Sequence, residues 1–184
     1  SELYTNYFNL IYESGQSFKE FIDEVRFQAS FILPSRLNLR DLGKFAPELS
    51  YDKDVRLVGL FEGPVSNMRI SKLNLFYGKQ TNIRGNLEFK GLPEIESTDM
   101  LLNVKSVRTT KNDIDDFFQQ KATRKSQTTM PDFLDNLGII SFKGIFSGAL
   151  KDFIIRGSLN TSLGNLSTFF VKVRSEEHTS ELQS

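Results

Sequence analysis

The chain has no cysteine, no tryptophan and only one histidine in its 184 residues. Without cysteine there is neither a disulfide nor a thiolate ligand for a metal, although periplasmic proteins too can lack cysteine, so the compartment stays open. No run of about 18 apolar residues occurs, so no helix can span a bilayer. The first residues, Ser1-Glu2-Leu3-Tyr4, lack the charged and apolar regions of a signal peptide. The expectation is a chain that begins inside a longer protein. One sign of charge is not in excess: 23 basic residues face 23 acidic ones. Lysine and arginine are scattered rather than gathered in a stripe, which argues against a nucleic-acid partner. What the chain does have is phenylalanine, 17 of them, with 5 tyrosines.

Residues 174–184, Arg-Ser-Glu-Glu-His-Thr-Ser-Glu-Leu-Gln-Ser, are polar and without period. The string resembles a translated sequencing adapter and reads as an artefactual tail, outside the fold. It contains His178, so the remaining chain has no histidine. Catalytic triads of the usual kinds and most transition-metal sites are thereby excluded. The expectation is no cofactor, no metal and no catalytic residue.

Period-two alternation dominates the rest. Leu57, Gly59 and Phe61 share one face, then Met68 and Ile70, then Leu73, Leu75 and Tyr77. The phase slips near Ser71-Lys72, which predicts a bulge. Ile83, Gly85, Leu87 and Phe89 alternate cleanly with Asn82, Arg84, Asn86 and Glu88, the mark of a half-buried strand. Met100, Leu102 and Val104 follow, then Ile140, Phe142, Gly144 and Phe146, then Phe153, Ile155 and Leu159, then Phe169, Val171 and Val173. Ahead of them, Phe18, Phe21, Ile22 and Val25 are spaced for a short helix with Ser17 as its N-cap. A strand is expected from Arg26 to Leu33, broken at Pro34. Leu37–Leu49 reads as a strand that ends in a helical turn. A second short helix is predicted over Asn112–Gln120, an exposed loop over 119–131, and a further turn over Asp132–Leu137 stopped by Gly138.

Two blocks repeat. Gly59-Leu60-Phe61-Glu62-Gly63 matches Gly144-Ile145-Phe146-Ser147-Gly148 at an offset of 85 residues, and Asn67-Met68-Arg69-Ile70 matches Asp152-Phe153-Ile154-Ile155 at the same offset. Each unit is therefore a group of strands whose apolar faces need neighbours. Residues 1–50 read as the strand and short-helix part of a preceding unit, and 51–173 as the repeat region. A phosphate-cradling loop would need a Lys-Ser/Thr pair and a following helix. Strands follow these glycines, so strand bends or close backbone approaches explain them better. Asp113, Asp115 and Asp116 form the one acidic cluster, placed where carboxylates favourably meet a helix dipole. Glu94 and Glu96 sit beside Pro93, on a predicted turn and strand entry, with no partner evident in the sequence. Arg124-Lys125 reads as solvated surface.

The apolar stripes are the main signal. Such stripes usually form an ordinary core. The functional alternative is an open groove for acyl chains, lined by Leu57, Phe61, Ile70, Leu75, Ile83, Leu87, Phe89, Leu102, Val104, Ile140, Phe142, Phe146, Phe153, Ile155, Leu159, Phe169 and Val171. The opposite faces are polar, and no long amphipathic helix is present to cover the stripes.

Several stretches together resemble the TamB family, the translocation and assembly proteins of Gram-negative envelopes, in the form found in Bacteroidetes. They are Leu37–Leu49, Gly59–Gly63 running on to Leu73–Thr81, Lys105–Thr110, and Leu137–Gly148 with Asp152-Phe153. Each is mostly strand punctuation; the order and spacing carry the resemblance, over roughly residues 35–173. The resemblance implies an all-β fold with short helices: a β-taco, or half-pipe, of mostly antiparallel strands with an apolar interior, similar to AsmA-like and bridge-like lipid-transfer proteins. It implies an internal segment of an inner-membrane-anchored periplasmic protein, without catalytic residues. The partners it implies are phospholipid acyl chains and, through a C-terminal region not in this sequence, an outer-membrane barrel assembly protein. A closed-core structural repeat of a surface or secreted protein is the alternative.

Overall fold

The computed structural model describes residues 2–44, 52–94, 96–118 and 136–174. Its architecture is one open, nine-stranded antiparallel sheet in which every strand pairs with its sequence neighbours. The strands are β1 (Thr5–Ile11), β2 (Arg26–Asn38), β3 (Asp54–Gly63), β4 (Asn67–Tyr77), β5 (Thr81–Lys90), β6 (Asp99–Thr110), β7 (Ile139–Ala149), β8 (Asp152–Thr161) and β9 (Gly164–Arg174). Short helices sit at the strand ends: α1 (Phe21–Glu24), preceded by a 3-10 turn over Gly15–Phe18, and α2 (Lys111–Phe118). A further 3-10 turn, Leu39–Lys44, follows β2.

Alternation puts the apolar set of every strand on one face, and register joins the sets into rows across the sheet. One row runs Leu57–Leu75–Ile83–Val107–Phe142–Leu159–Leu166. A second runs Phe61–Ile70–Leu87–Leu102–Phe146–Ile155–Val171. The other face is mainly polar. It carries an Arg69–Glu88 ion pair at 3.5 Å and guanidinium groups over aromatic rings, Arg56 on Phe76 and Arg156 on Phe170.

A flat single sheet would leave both faces wet. Yet Val104 and Met100 on the apolar face are each only 8 % exposed. The sheet must therefore curve over that face, and the strand middles contain the means. Register slips fall mid-strand, on β2 between Phe31 and Ser35, on β4 between Ile70 and Leu73, and on β6 between Val104 and Val107. The intervening strands β3, β5 and β7 carry Gly59, Gly85 and Gly144 at the same level. Bulges add bend and twist where they stand, so aligned bulges and glycines bend β2 to β7 at one level, and the sheet becomes a half-pipe.

The glycines at the repeat are positions of contact. A Cβ on Gly144 would lie 2.1 Å from the Arg156 carbonyl oxygen, and one on Gly157, opposite it, 2.7 Å from the Phe142 ring. Phe142 thus lies across the bare backbone of β8 and reaches Phe169 of β9, with ring centroids 6.0 Å apart. The repeat is also geometric. Gly63 at the end of β3 and Gly148, one residue before the end of β7, have φ of +111° and +119°, and a Cβ on either would meet a carbonyl oxygen of the next strand at 2.3 Å. One unit is four strands, with β3–β4 equivalent to β7–β8.

Several local expectations are corrected. Pro34 does not end β2, which continues to Asn38; the proline falls in the slip between Phe31 and Ser35, where no ladder amide is required. Ser17 is not the cap of the first helical turn. Ser14 fills that role, its hydroxyl accepting from the Gln16 amide at 3.2 Å, while Ser17 is buried. The second helix begins at Lys111, and the bulge expected at Ser71-Lys72 is there, with Lys72 at φ +54° and its amide donating to the Asn86 side chain at 2.9 Å. Gly138 adopts φ +58° after a 3-10 turn at Asn136-Leu137. Arg174, placed in the tail by its sequence, closes β9. The predicted loop over 119–131, the pair Arg124-Lys125, residues 132–135 of the predicted turn, residues 45–49 of the Leu37–Leu49 stretch and the rest of the tail lie outside the described residues.

Candidate functional site

The half-pipe has an inner surface built from the apolar rows. All of the groove candidates fall on that face: Leu57 and Phe61 of β3, Ile70 and Leu75 of β4, Ile83, Leu87 and Phe89 of β5, Leu102 and Val104 of β6, Ile140, Phe142 and Phe146 of β7, Phe153, Ile155 and Leu159 of β8, and Phe169 and Val171 of β9. Register brings them into cross-strand contact distance, and ring pairs form along the trough. Phe31 meets Phe61 edge to face at 5.3 Å, and Phe146 stacks on Phe153 at 5.0 Å. Among the described residues no buried side-chain nitrogen or oxygen lacks a hydrogen-bond partner.

Depth varies along it. Val55, Leu57, Leu73 and Tyr77 form a buried cluster, joined by Phe31, Leu37, Leu39, Leu75 and Phe117. Toward β9 the same face opens.

Sequence reasoning missed how one end of the trough is closed. Helix α2 follows β6 directly and turns Ile114 and Phe117 over the apolar face; the Phe117 ring meets Tyr77 edge to face at 5.2 Å. The aspartates fix it there. Asp113 accepts hydrogen bonds from the amides of Lys79 (3.1 Å), Gln80 (2.8 Å) and Thr81 (2.8 Å) and from the Thr81 hydroxyl (2.9 Å). It therefore caps the β4–β5 turn from the helix. Burial would push its pKa up, but the donors from Gln80, Lys79 and Thr81 outweigh this and hold it below the ordinary carboxylate value. Asp116 pairs with Lys53 at 2.7 Å and accepts from the Tyr77 hydroxyl, and first Lys53 and then Tyr77 lower its pKa. Burial, followed by the Asp116 carboxylate, pushes the Tyr77 hydroxyl up. Asp115 pairs with Lys111 within the helix at 3.0 Å. The dipole reading of this cluster is thus too weak: two of the three aspartates are tethers between helix and sheet. Gly78, with φ of +55°, makes the tight turn that Asp113 enters.

Beneath α2 lies a cavity of about 340 Å³, lined by Leu39, Val55, Leu75, Ile83, Val107, Ile114 and Phe117 together with Tyr77, Thr81, Thr109 and Asp113. A larger opening of about 720 Å³ at the opposite strand ends has a mixed lining, with Ile11, Phe27 and Met68 beside Asp23, Glu24, Arg69 and Glu88. Glu96, without an evident partner in the sequence, makes an exposed ion pair with Lys151 at 2.9 Å. Comparison with known protein families, curated proteins and solved structures finds no match.

Proposed function

We propose that this chain is a trough-forming segment of a TamB-like periplasmic protein, and that its apolar inner face shelters phospholipid acyl chains on their way between the inner and outer membranes or serves outer-membrane protein assembly. One observation carries the reading: a single apolar face runs unbroken from β2 to β9 without a second sheet against it among the described residues. Ordinary sandwiches bury such a face against a partner layer about 10 Å away. Each methylene left in water costs about 0.8 kcal/mol, so a continuous apolar path lowers the cost of moving a chain along it. No tight site is needed, and the distributed character of the face suits that task. The parent protein would be anchored in the inner membrane and meet a barrel assembly protein at the outer one.

The alternative, a structural repeat with a closed core, is favoured by the buried cluster around Leu57 and Tyr77. A photo-crosslinking residue at Phe146, and separately at Ile145, separates the two in the native envelope. These neighbours on β7 are both apolar and point to opposite faces, so hydrophobicity alone cannot account for a difference. Lipid adducts at Phe146 and none at Ile145 are expected. Protein-only adducts at Phe146 would mean a packed core.

A further inference from the structure

We infer that the cavity beneath α2 is a seat for the methyl end of a single alkyl chain, the point at which the trough stops being an open path and becomes a site. The inference deepens the acyl-chain reading above and rests on it. Three features carry it. Leu75, Ile83 and Val107 of the cavity wall belong to the trough's own cross-strand row, so a chain lying in the trough meets the same apolar surface on entering. The polar groups of the lining are already engaged: the Thr81 and Thr109 hydroxyls lie 2.7 Å apart, Thr81 donates to Asp113, which also accepts from the Lys79, Gln80 and Thr81 amides, and the Tyr77 hydroxyl donates to Asp116. The wall therefore offers nothing to a carboxylate or phosphate headgroup and everything to a hydrocarbon end. Size is the third. An apolar cavity of ~150 Å³ accommodates benzene, so the volume of about 340 Å³ here suits a terminal segment of roughly a dozen carbons. Ile114 and Phe117 of α2 form the outer wall, which gives the helix a role as the end stop.

The test uses the full 184-residue chain and two sixteen-carbon fatty acids, one with a diazirine at the methyl end and one with it next to the carboxylate. After irradiation, adducts are mapped by mass spectrometry. The methyl-end probe should label Leu75, Ile114 or Phe117, and the carboxylate-end probe should label residues outside the cavity. Filling the space with Ile114→Trp, or from the sheet side with Val107→Phe, should cut cavity labelling about tenfold, as expected when a buried end loses its seat. Circular dichroism and the melting temperature identify any variant that fails to fold, and two variants from different walls keep the comparison sound. Methyl-end adducts confined to Phe146 or Ile155 would overturn the seat and leave the trough reading standing. An absence of specific adducts anywhere on the inner face would overturn both.

Discussion

The two ends of one cross-strand row differ in a way the pattern of residues does not announce. Leu57 on β3 and Leu166 on β9 stand in the same row, yet the first is 6 % exposed and the second 56 %. Val104 at 8 % and Val171 at 42 % repeat the contrast. Alternation decides which face a side chain takes, because the strand period is two. Depth is decided by something else: neighbours on both sides, the bend at mid-strand and the cover of α2. Around β3 and β4 all of these coincide. On β9 they do not, since it is the edge of the described sheet. One apolar stripe can therefore serve as core at one place and as open surface at another.

The largest test of that contrast is a matched pair of truncations. Leu57→Ala should destabilise by about 3 kcal/mol, the usual cost of emptying a buried leucine site, whereas Leu166→Ala should stay within about 0.5 kcal/mol. Chemical denaturation of the two variants measures both. Equal losses would mean that β9 is covered as deeply as β3.

Next in size is the bend. Gly144→Val forces a side chain against the Arg156 carbonyl and the Phe142 ring, and about 2 kcal/mol of overpacking strain is expected. The effect should be local, lifting β7 from β8 near Gly157, so hydrogen exchange should rise there and not in β3–β4. A uniform rise across the sheet would show that the two regions unfold as one.

The face assignment, the bulge at Ser71-Lys72 and the repeat of β3–β4 in β7–β8 were all legible in the sequence, because each follows from a period or its interruption. The place of Pro34 inside β2 was not, because whether a proline breaks a strand depends on the partner's register, seen only in the pairing of Phe31 with Gly59 and Ser35 with Leu57. Nor was the tethering by Asp113. Its donors, the amides of Lys79–Thr81, are more than 30 residues away, and backbone amides leave no mark in a sequence. The curvature lay between these cases. Gly59, Gly85 and Gly144 were visible as glycines in strands, but their alignment at one level needed the register.

A smaller loss is expected from Asp113→Ala. It leaves the Lys79, Gln80 and Thr81 amides without their acceptor, at a cost of about 1–2 kcal/mol. The consequence should be confined to the covered end: α2 loosens from the β4–β5 turn while the strands persist. Faster exchange at Gln80 and Thr81, with β8 and β9 unchanged, would be the signature. If those amides kept their protection, water or another group would be holding the turn and the tether would carry little weight.

The smallest effect is on pH, and its sign follows from the direction of the shifts. Asp113 and Asp116 both have folded pKa values below the ordinary carboxylate value of 3.8. As pH falls, the unfolded chain takes up protons first, so their contribution is complete above about pH 4 and is lost as pH drops through the folded values. Asp116 is more than half exposed, so solvent screening makes its share the lesser one. Between pH 8 and 5 the clamp on α2 should not change. Below 4 the Gln80 and Thr81 amide proton resonances should move as Asp113 protonates, while those of Ile155 and Val171 in the open part of the trough stay still. A midpoint at or above the ordinary carboxylate value would mean that the amides do not hold Asp113 charged. The covered end would then owe its burial to packing by Ile114 and Phe117 alone.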